Sequence, residues 1–327
     1  MDPKKKENIL LFSLSNLGDI ILTTPVFSRL TEEFPEAVFD IVSGENGREI
    51  FAGHPSVRRV VTMSGHRTIH GRIEFLKTLR GRKYDMVVDL KNTLMPFFVR
   101  CPVEYKVRSL LNMFTPKRNA IHKKDEHLAK LTGFGIETRD ARFIAPVSSA
   151  DTAYVDSMLG DIDGKKIVVI SPGSKSHLKR WDCSKYAGVS DILIADHGCV
   201  VALIGNPDDK DVIDCFRRLI KYPVVNMMNK TSISQLFALI KKADMVITND
   251  SAPLHVASAV NTPVLAIFGP TDERKYGPLS AKNSVLKPDK NCRPCEKALC
   301  SEGPDEGCIG EISAEEVLKA AKELLGI

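Results

Sequence analysis

The sequence predicts an α/β protein of two doubly wound domains, each a parallel sheet with helices on both faces. Short runs of Val, Ile and Leu alternate with helical patterns through both halves of the chain. Those runs are apolar throughout, without polar alternation, as strands covered on both faces are. The chain has 327 residues, 43% of them hydrophobic. Single cores stop growing at about 250–300 residues, so two domains are expected.

The strand candidates of the first half are residues 8–14, 38–42 and 85–90, with a helix over 24–34. The alternation lapses over 146–165, which reads as a linker holding a short helix. It resumes at KIVVISPGS with strands at 166–171, 200–205, 244–249 and 263–268, and helices at 232–243 and 253–260. Residues 313–325 form an amphipathic helix whose Ser313 and Glu316 have capping-box spacing. The expected domains are 1–160 and 161–327, with the last helix on its own domain or packed back on the first.

No apolar run approaches the ~20 residues of a membrane span. The N-terminus is basic before an apolar stretch, but Glu7, Asn8, Ser13 and Asp19 interrupt it and no small-residue cleavage site follows, so a cytoplasmic protein is expected. The net charge of +5 lies in the first half, where residues 1–160 hold 24 Lys and Arg against 19 Asp and Glu. Residues 100–124 carry seven basic side chains and one acid, Glu104. Such a cluster is either a solvated face or a contact for a phosphorylated lipid, a membrane surface or nucleic acid. It lacks the interleaved aromatics of a base-stacking platform, which disfavours nucleic acid.

Ligands of open parallel sheets bind beyond the carboxyl ends of the strands, and four such corners carry candidate chemistry. In LSNLGDIILTTP, Gly18 permits a close approach or positive φ. Asp19 is either a helix cap or a general base. There is no GxGxxG. In ISPGSKSHLKRWD, Gly173 and Ser174 form an anion-holding turn beside Lys175, Lys179 and Arg180. Trp181, the only tryptophan, is either a loop anchor or a ligand contact. In LIGNPDDKD, Gly205 ends a strand and an acid follows, placed for ribose hydroxyls or for an ordinary polar turn. In TNDSAPLHVASAV, Asp250 or Ser251 caps a helix whose first turn contains Pro253, and its N-terminus would seat a diphosphate.

Together GDIILTTP, SPGS with KRWD, IGNPDD and NDSAPLHVASAVNTPVLAIFGPTD resemble glycosyltransferase family 9, the ADP-heptose:lipopolysaccharide heptosyltransferases. HKKDEHLAKLTGFGI resembles that family's mid-chain helix. The resemblance implies a GT-B fold with a cleft between its domains, acceptor on the N-terminal domain and donor on the C-terminal one. It implies inverting transfer of a heptose to an inner-core hydroxyl. Asp19 is then the base and Lys179 the group that neutralises the leaving diphosphate. Gly18, Gly173, Ser174, Gly205, Asp250, Ser251, Ala252 and His255 belong to the donor site. Ala252 stands where relatives often have glycine, and His255 is expected to be structural.

The implied partners are a nucleotide-sugar donor and a phosphorylated lipid A or Kdo-type acceptor, with peripheral contact at the inner membrane. No nucleic acid, cofactor or divalent metal is expected. Arg67, Arg100, Arg118 and Lys123 are the acceptor candidates, with Arg58, Arg59 and Arg72 beside them. A nucleotide-sugar epimerase or a non-catalytic lipid-binding module remains as an alternative. Cys292, Cys295, Cys300 and Cys308 are open to three readings: free thiols, a structural metal or disulfides. Cys101, Cys183, Cys199 and Cys215 are expected to pack singly.

Overall fold

The computed structural model describes residues 6–62, 68–113, 121–139, 141–162, 164–297, 299–300 and 307–327. The chain divides into two compact units, Met1–Pro146 and Val147–Ile327. The first contains β1 (Asn8–Phe12), α1 (Leu17–Glu33), β2 (Val38–Ser43), α2 (Asn46–Phe51), β3 (Val57–Thr62), α3 (Ile69–Arg80), β4 (Met86–Asp89), α4 (Val103–Met113) and α5 (Lys123–Ala129). Its parallel sheet has the order β3-β2-β1-β4.

The second unit opens with α6 (Ser149–Leu159), β5 (Ile167–Ser171), α7 (Cys183–Ala195), β6 (Val200–Leu203), α8 (Lys210–Leu219) and β7 (Val225–Asn226). It continues with α9 (Ile233–Lys242), β8 (Met245–Asn249), α10 (Ala252–Val260), β9 (Val264–Ile267), α11 (Glu273–Tyr276), β10 (Asn283–Leu286) and α12 (Ala314–Leu325). Its parallel sheet runs β10-β9-β8-β5-β6-β7.

All seven strands read from apolar runs are present. The three that escaped, β3, β7 and β10, are edge strands and are only half-buried or more exposed. An edge strand needs no unbroken apolar run, and β3 carries two arginines.

The helix expected to begin at Thr24 begins seven residues earlier, at Leu17, and continues through Pro25. Proline cannot donate to the Ile21 carbonyl. The Thr24 hydroxyl takes that place, donating to Ile21 O at 2.8 Å, while Thr23 donates to Ile20 O at 2.7 Å. The adjacent threonines thus satisfy carbonyls around the break.

The division between units falls after Pro146, so α6 lies in the second unit rather than the first. A Ser148–Asp151 capping box starts it. Asp156 pairs with Lys242 at 2.7 Å and the Tyr154 hydroxyl donates to Lys230 O at 2.6 Å. The terminal helix α12 also belongs to the second unit. Its Val317, Ala320, Ala321 and Leu325 join Leu265 and Ile267 in that unit's core.

Cys183 and Cys215 do not pack singly: they form a disulfide between α7 and α8, with Cα atoms 6.2 Å apart. The two helices pack side by side, which brings their first and middle turns together. Cys101, Cys199, Cys292, Cys295, Cys300 and Cys308 are free thiols. Among the described residues no group of three His, Cys, Asp or Glu side chains is arranged to hold a metal ion.

Arg58 and Arg59 are both engaged within the first unit. Their Nε atoms bind the two oxygens of fully buried Asp40, each at 2.8 Å, and the Tyr84 hydroxyl donates to Asp40 at 2.7 Å. Burial alone would raise the Asp40 pKa, but the hydrogen bonds from Arg58, Tyr84 and Arg59 hold it below the usual carboxylate range. Tyr84 is pushed up to about 12 by burial and by Asp40.

Candidate active site

Strand order reverses beside β1 in the first sheet and beside β5 in the second. Ligand crevices of doubly wound sheets open at such switch points, at the carboxyl ends of the strands. β1 lies between β2 and β4, and β5 lies between β6 and β8. The loops that border these crevices are those after β1 and β4, and those after β5 and β8.

After β1 the chain turns through Ser13–Asn16 into α1. Asn16 holds the cap position in extended conformation, and Asp19 lies in the first turn. Asp19 is therefore not the cap; Asn16 donates to its carboxylate from Nδ2 at 3.0 Å. Asp19 is half-buried, and a negative charge in the first turn suits the helix dipole. Gly18 has ordinary helical φ, so its contribution is the missing side chain rather than positive φ. A close approach does occur at Gly44, where a Cβ would lie 2.3 Å from Ser15 O.

The loop after β4 meets this turn. Lys91 Nζ donates to Ser15 Oγ at 3.1 Å. Buried Asp89 accepts from the Lys91 and Thr93 amides at 2.8 and 2.6 Å and from the Thr93 hydroxyl at 2.8 Å. Burial raises its pKa against those bonds. Lys130 reaches in from the turn after α5, donating to Leu90 O at 2.7 Å and to Asn92 Oδ1 at 2.9 Å. Asn92 has φ 57°, a left-handed conformation that asparagine tolerates. Burial lowers the Lys130 pKa to about 8.

In the second unit Lys179 extends from the loop after β5 and its Nζ lies 2.6 Å from Asp250 Oδ2, just after β8. Asp250 is buried while Lys179 is partly open to solvent. The two loops are also pinned by Asn249. Its Nδ2 donates to Pro172 O at 2.8 Å, and its Oδ1 accepts from the Trp181 amide and the Tyr186 hydroxyl at 3.2 and 3.0 Å. Trp181 is an anchor: it is buried, donates from Nε1 to Ile312 O at 2.9 Å and meets Tyr186 edge-on.

Gly173 sits against the Asp209 carboxylate, where a Cβ would fall 2.2 Å from Oδ1. Buried Asp209 accepts from the Asn206 amide at 3.1 Å and closes a capping box after Gly205, so its carboxylate serves the turn. Ser174 is buried and its carbonyl accepts from Arg180 Nε at 2.6 Å.

Ser251 caps α10 by backbone conformation alone, its side chain making no cap hydrogen bond. Its hydroxyl lies 3.1 Å from Thr248 Oγ1 instead. Ala252 is the first residue of α10, and Pro253 follows in the first turn. His255 is buried one turn farther along. The next corner, Gly269–Thr271, is held by Arg293, which donates from Nε to Gly269 O and from Nη2 to Thr271 O at 3.1 Å.

The structure thus gathers Lys179, Asp250, Ser251 and Ala252 at the switch point of the second sheet, with Gly173 and Ser174 on the β5 side. Gly205 stands after the neighbouring strand β6. Sequence reasoning missed Asn249, Lys91, Lys130 and Arg293. Asn249 alone left a signal, as an asparagine ending a wholly apolar strand. Of the acceptor candidates, Lys123 pairs with Glu126 at 2.5 Å and Arg100 is exposed. Arg67 and Arg118 lie outside the described residues.

The chain is 31% identical over 287 residues to lipopolysaccharide heptosyltransferase 3 of Escherichia coli K12, covering 80% of this chain and 82% of that one. It is 27% identical over 311 residues to lipooligosaccharide heptosyltransferase 2 of Haemophilus influenzae, with 86% and 88% covered. Among solved structures, E. coli ADP-heptose lps heptosyltransferase II superposes with a TM-score of 0.78 at 22% identity, covering 97% of this chain and 98% of that one. That superposition gives the fold: GT-B, two Rossmann-like domains. Residues 72–305 match Glycosyltransferase family 9 (heptosyltransferase), and the chain belongs to that family of transferases.

Proposed function

We propose that the protein moves a heptose from ADP-heptose to a hydroxyl of the lipopolysaccharide inner core, with inversion at the anomeric carbon. The Lys179–Asp250 pair beside the start of α10 carries this reading. It sets a cation beside the positive end of a helix dipole, at the place in the second sheet where a diphosphate would sit.

In this reading Asp19 takes the proton of the acceptor hydroxyl. The hydroxyl oxygen attacks the anomeric carbon, and the bond from that carbon to the diphosphate breaks. The electron pair leaves with ADP, where Lys179 and the α10 N-terminus stabilise the developing charge. Asp250 holds Lys179 in place. The positive charge comes from the protein, so the proposal includes no cofactor and no divalent metal, and chelation should leave the rate unchanged. The acceptor is lipid-linked, and the enzyme works on the cytoplasmic face of the inner membrane.

The test is incubation with ADP-heptose and either Kdo2-lipid A or a heptosylated core acceptor. Release of ADP with a product heavier by one heptose supports the reading. Isomerised sugar nucleotide released without acceptor would instead make the protein an epimerase. No transfer to any acceptor, together with an unaffected Asp19→Ala variant, would remove it.

A further inference from the structure

The side chains of α4 point two ways. Tyr105 and Ser109 face inward, and the Ser109 hydroxyl bonds Val87 O at 3.3 Å. Val103, Val107 and Leu111 recur every four residues on the opposite side, in solvent. The short helical turn Met95–Phe98 packs against α4 and adds Leu94, Phe97 and Phe98. The two segments are joined where Lys106 Nζ lies 3.5 Å from Phe97 O.

These six side chains are between 42% and 71% exposed. They are six of the fourteen large apolar residues exposed among the described residues, and all fall within positions 94–111. Single exposed apolar residues need no explanation, but a cluster of this kind marks an interaction surface.

The charges around it say what the partner is. Lys106 and Arg108 flank the stripe on α4, and exposed Arg100 and Lys83 meet at a parallel bridge beside it. Glu104 is the only acid in α4. Two copies of the chain meeting through this face would set basic rims against each other, which disfavours self-association. Exposed aromatic and aliphatic residues with a basic rim suit the headgroup boundary of an anionic bilayer. The patch also continues a loop of the candidate active site. Residues 90–93 lead from β4 into Met95–Phe98, and Lys91 touches Ser15, four residues before Asp19.

We propose that the surface formed by Leu94, Phe97, Phe98, Val103, Val107 and Leu111, with its rim of Lys83, Arg100 and Lys106, seats the protein on an anionic lipid bilayer. Docking there holds the first unit against the surface in which a lipid-linked acceptor is embedded. That consequence, though not the docking, rests on the function proposed above.

Vesicles of phosphatidylethanolamine and phosphatidylglycerol, and others of phosphatidylcholine alone, are sedimented with the full chain without donor or acceptor. The wild type should bind the anionic vesicles preferentially, less so as salt rises. A Phe97→Ser/Phe98→Ser variant and a Val107→Asn/Leu111→Asn variant should each bind about tenfold more weakly. Both should keep the wild-type urea-unfolding transition, which shows the fold is intact. Transfer to an acceptor in vesicles should fall with binding, while transfer to one dispersed in detergent should not.

Wild-type vesicle binding by both variants, or equal wild-type binding to both vesicle types, would overturn the proposal. So would variants that change only the oligomeric state, since the face would then join two copies of the chain. Failure of the heptosyl reading is distinguishable, because it abolishes transfer to every acceptor while vesicle binding persists.

Discussion

The ammonium of Lys179 lies 2.6 Å from the Asp250 carboxylate, linking residues 71 positions apart across the switch point of the second sheet. The pairing makes Asp250 the holder of the cation, beside the place where the leaving group would accumulate charge. Lys179→Met should lower kcat by about a hundredfold, as loss of a preorganised charge donor does. Asp250→Asn keeps the cation but frees it, and should lower kcat/KM by about tenfold. ADP release followed with a coupled assay measures both. An Asp250→Asn enzyme at the wild-type rate would show that the pairing does not position Lys179.

Asp19→Asn keeps the size of the side chain and removes the proposed base. Transfer should fall by about a thousandfold. The thermal shift caused by the donor should be retained, because every donor-site candidate except Gly18 lies in the other unit from Asp19.

Gly173→Ala puts a methyl group 2.2 Å from the Asp209 carboxylate. The overpacking should cost about 1–3 kcal/mol in urea unfolding. The Gly173→Ala/Asp209→Ala double variant should recover part of that cost relative to the two single changes added together, a coupling expected of residues in contact.

Lys130 gives a pH-dependent signature. Burial lowers its pKa from 10.5 to about 8, against the pull of Asp89 and Glu126 and with a further push from Lys123. Between those two values the unfolded chain binds more protons at this site than the native one. The site therefore adds stability as pH rises through the window. Wild type should gain on Lys130→Met from one end of the window to the other, measured by urea unfolding. A constant difference between them would show that Lys130 is not buried as an ammonium.

Asp40→Asn leaves Arg58 and Arg59 without their counter-charge and weakens the bond from Tyr84. The arginines are about a quarter exposed, which tempers the penalty. A loss of about 2–3 kcal/mol is expected. The Asp40 carboxylate has a lowered pKa, so its contribution is present above the ordinary carboxylate value and fades as pH falls through the depressed one. The stability gap between wild type and variant should therefore narrow in acid.

By itself the sequence determined the fold class and named candidate site residues. Strands buried on both faces must be apolar throughout, so β1, β2, β4, β5, β6, β8 and β9 were legible as short apolar runs. Gly, Pro and Asp after a strand mark turns at its carboxyl end, so Asp19, Lys179 and Asp250 could be named as candidates. The edge strands β3, β7 and β10 were not legible, because a half-exposed strand with one free edge tolerates residues such as Arg58 and Arg59; β4, an edge strand buried on both faces, was. Nor was the start of α1, because the hydroxyls that offset Pro25 act only once the helix exists.

Partnership was decided by the tertiary structure alone. Nothing in the linear chain couples Lys179 to Asp250, Lys130 to Asn92, Cys183 to Cys215 or Arg58 to Asp40. Each pair lies 18 to 71 residues apart and meets only because the fold brings parallel strands, the loops after them or their covering helices side by side. Exposure was likewise a tertiary property. An apolar stripe on α4 reads in sequence as a core face, and only the packing of Tyr105 and Ser109 against β4 turns Val103, Val107 and Leu111 outward.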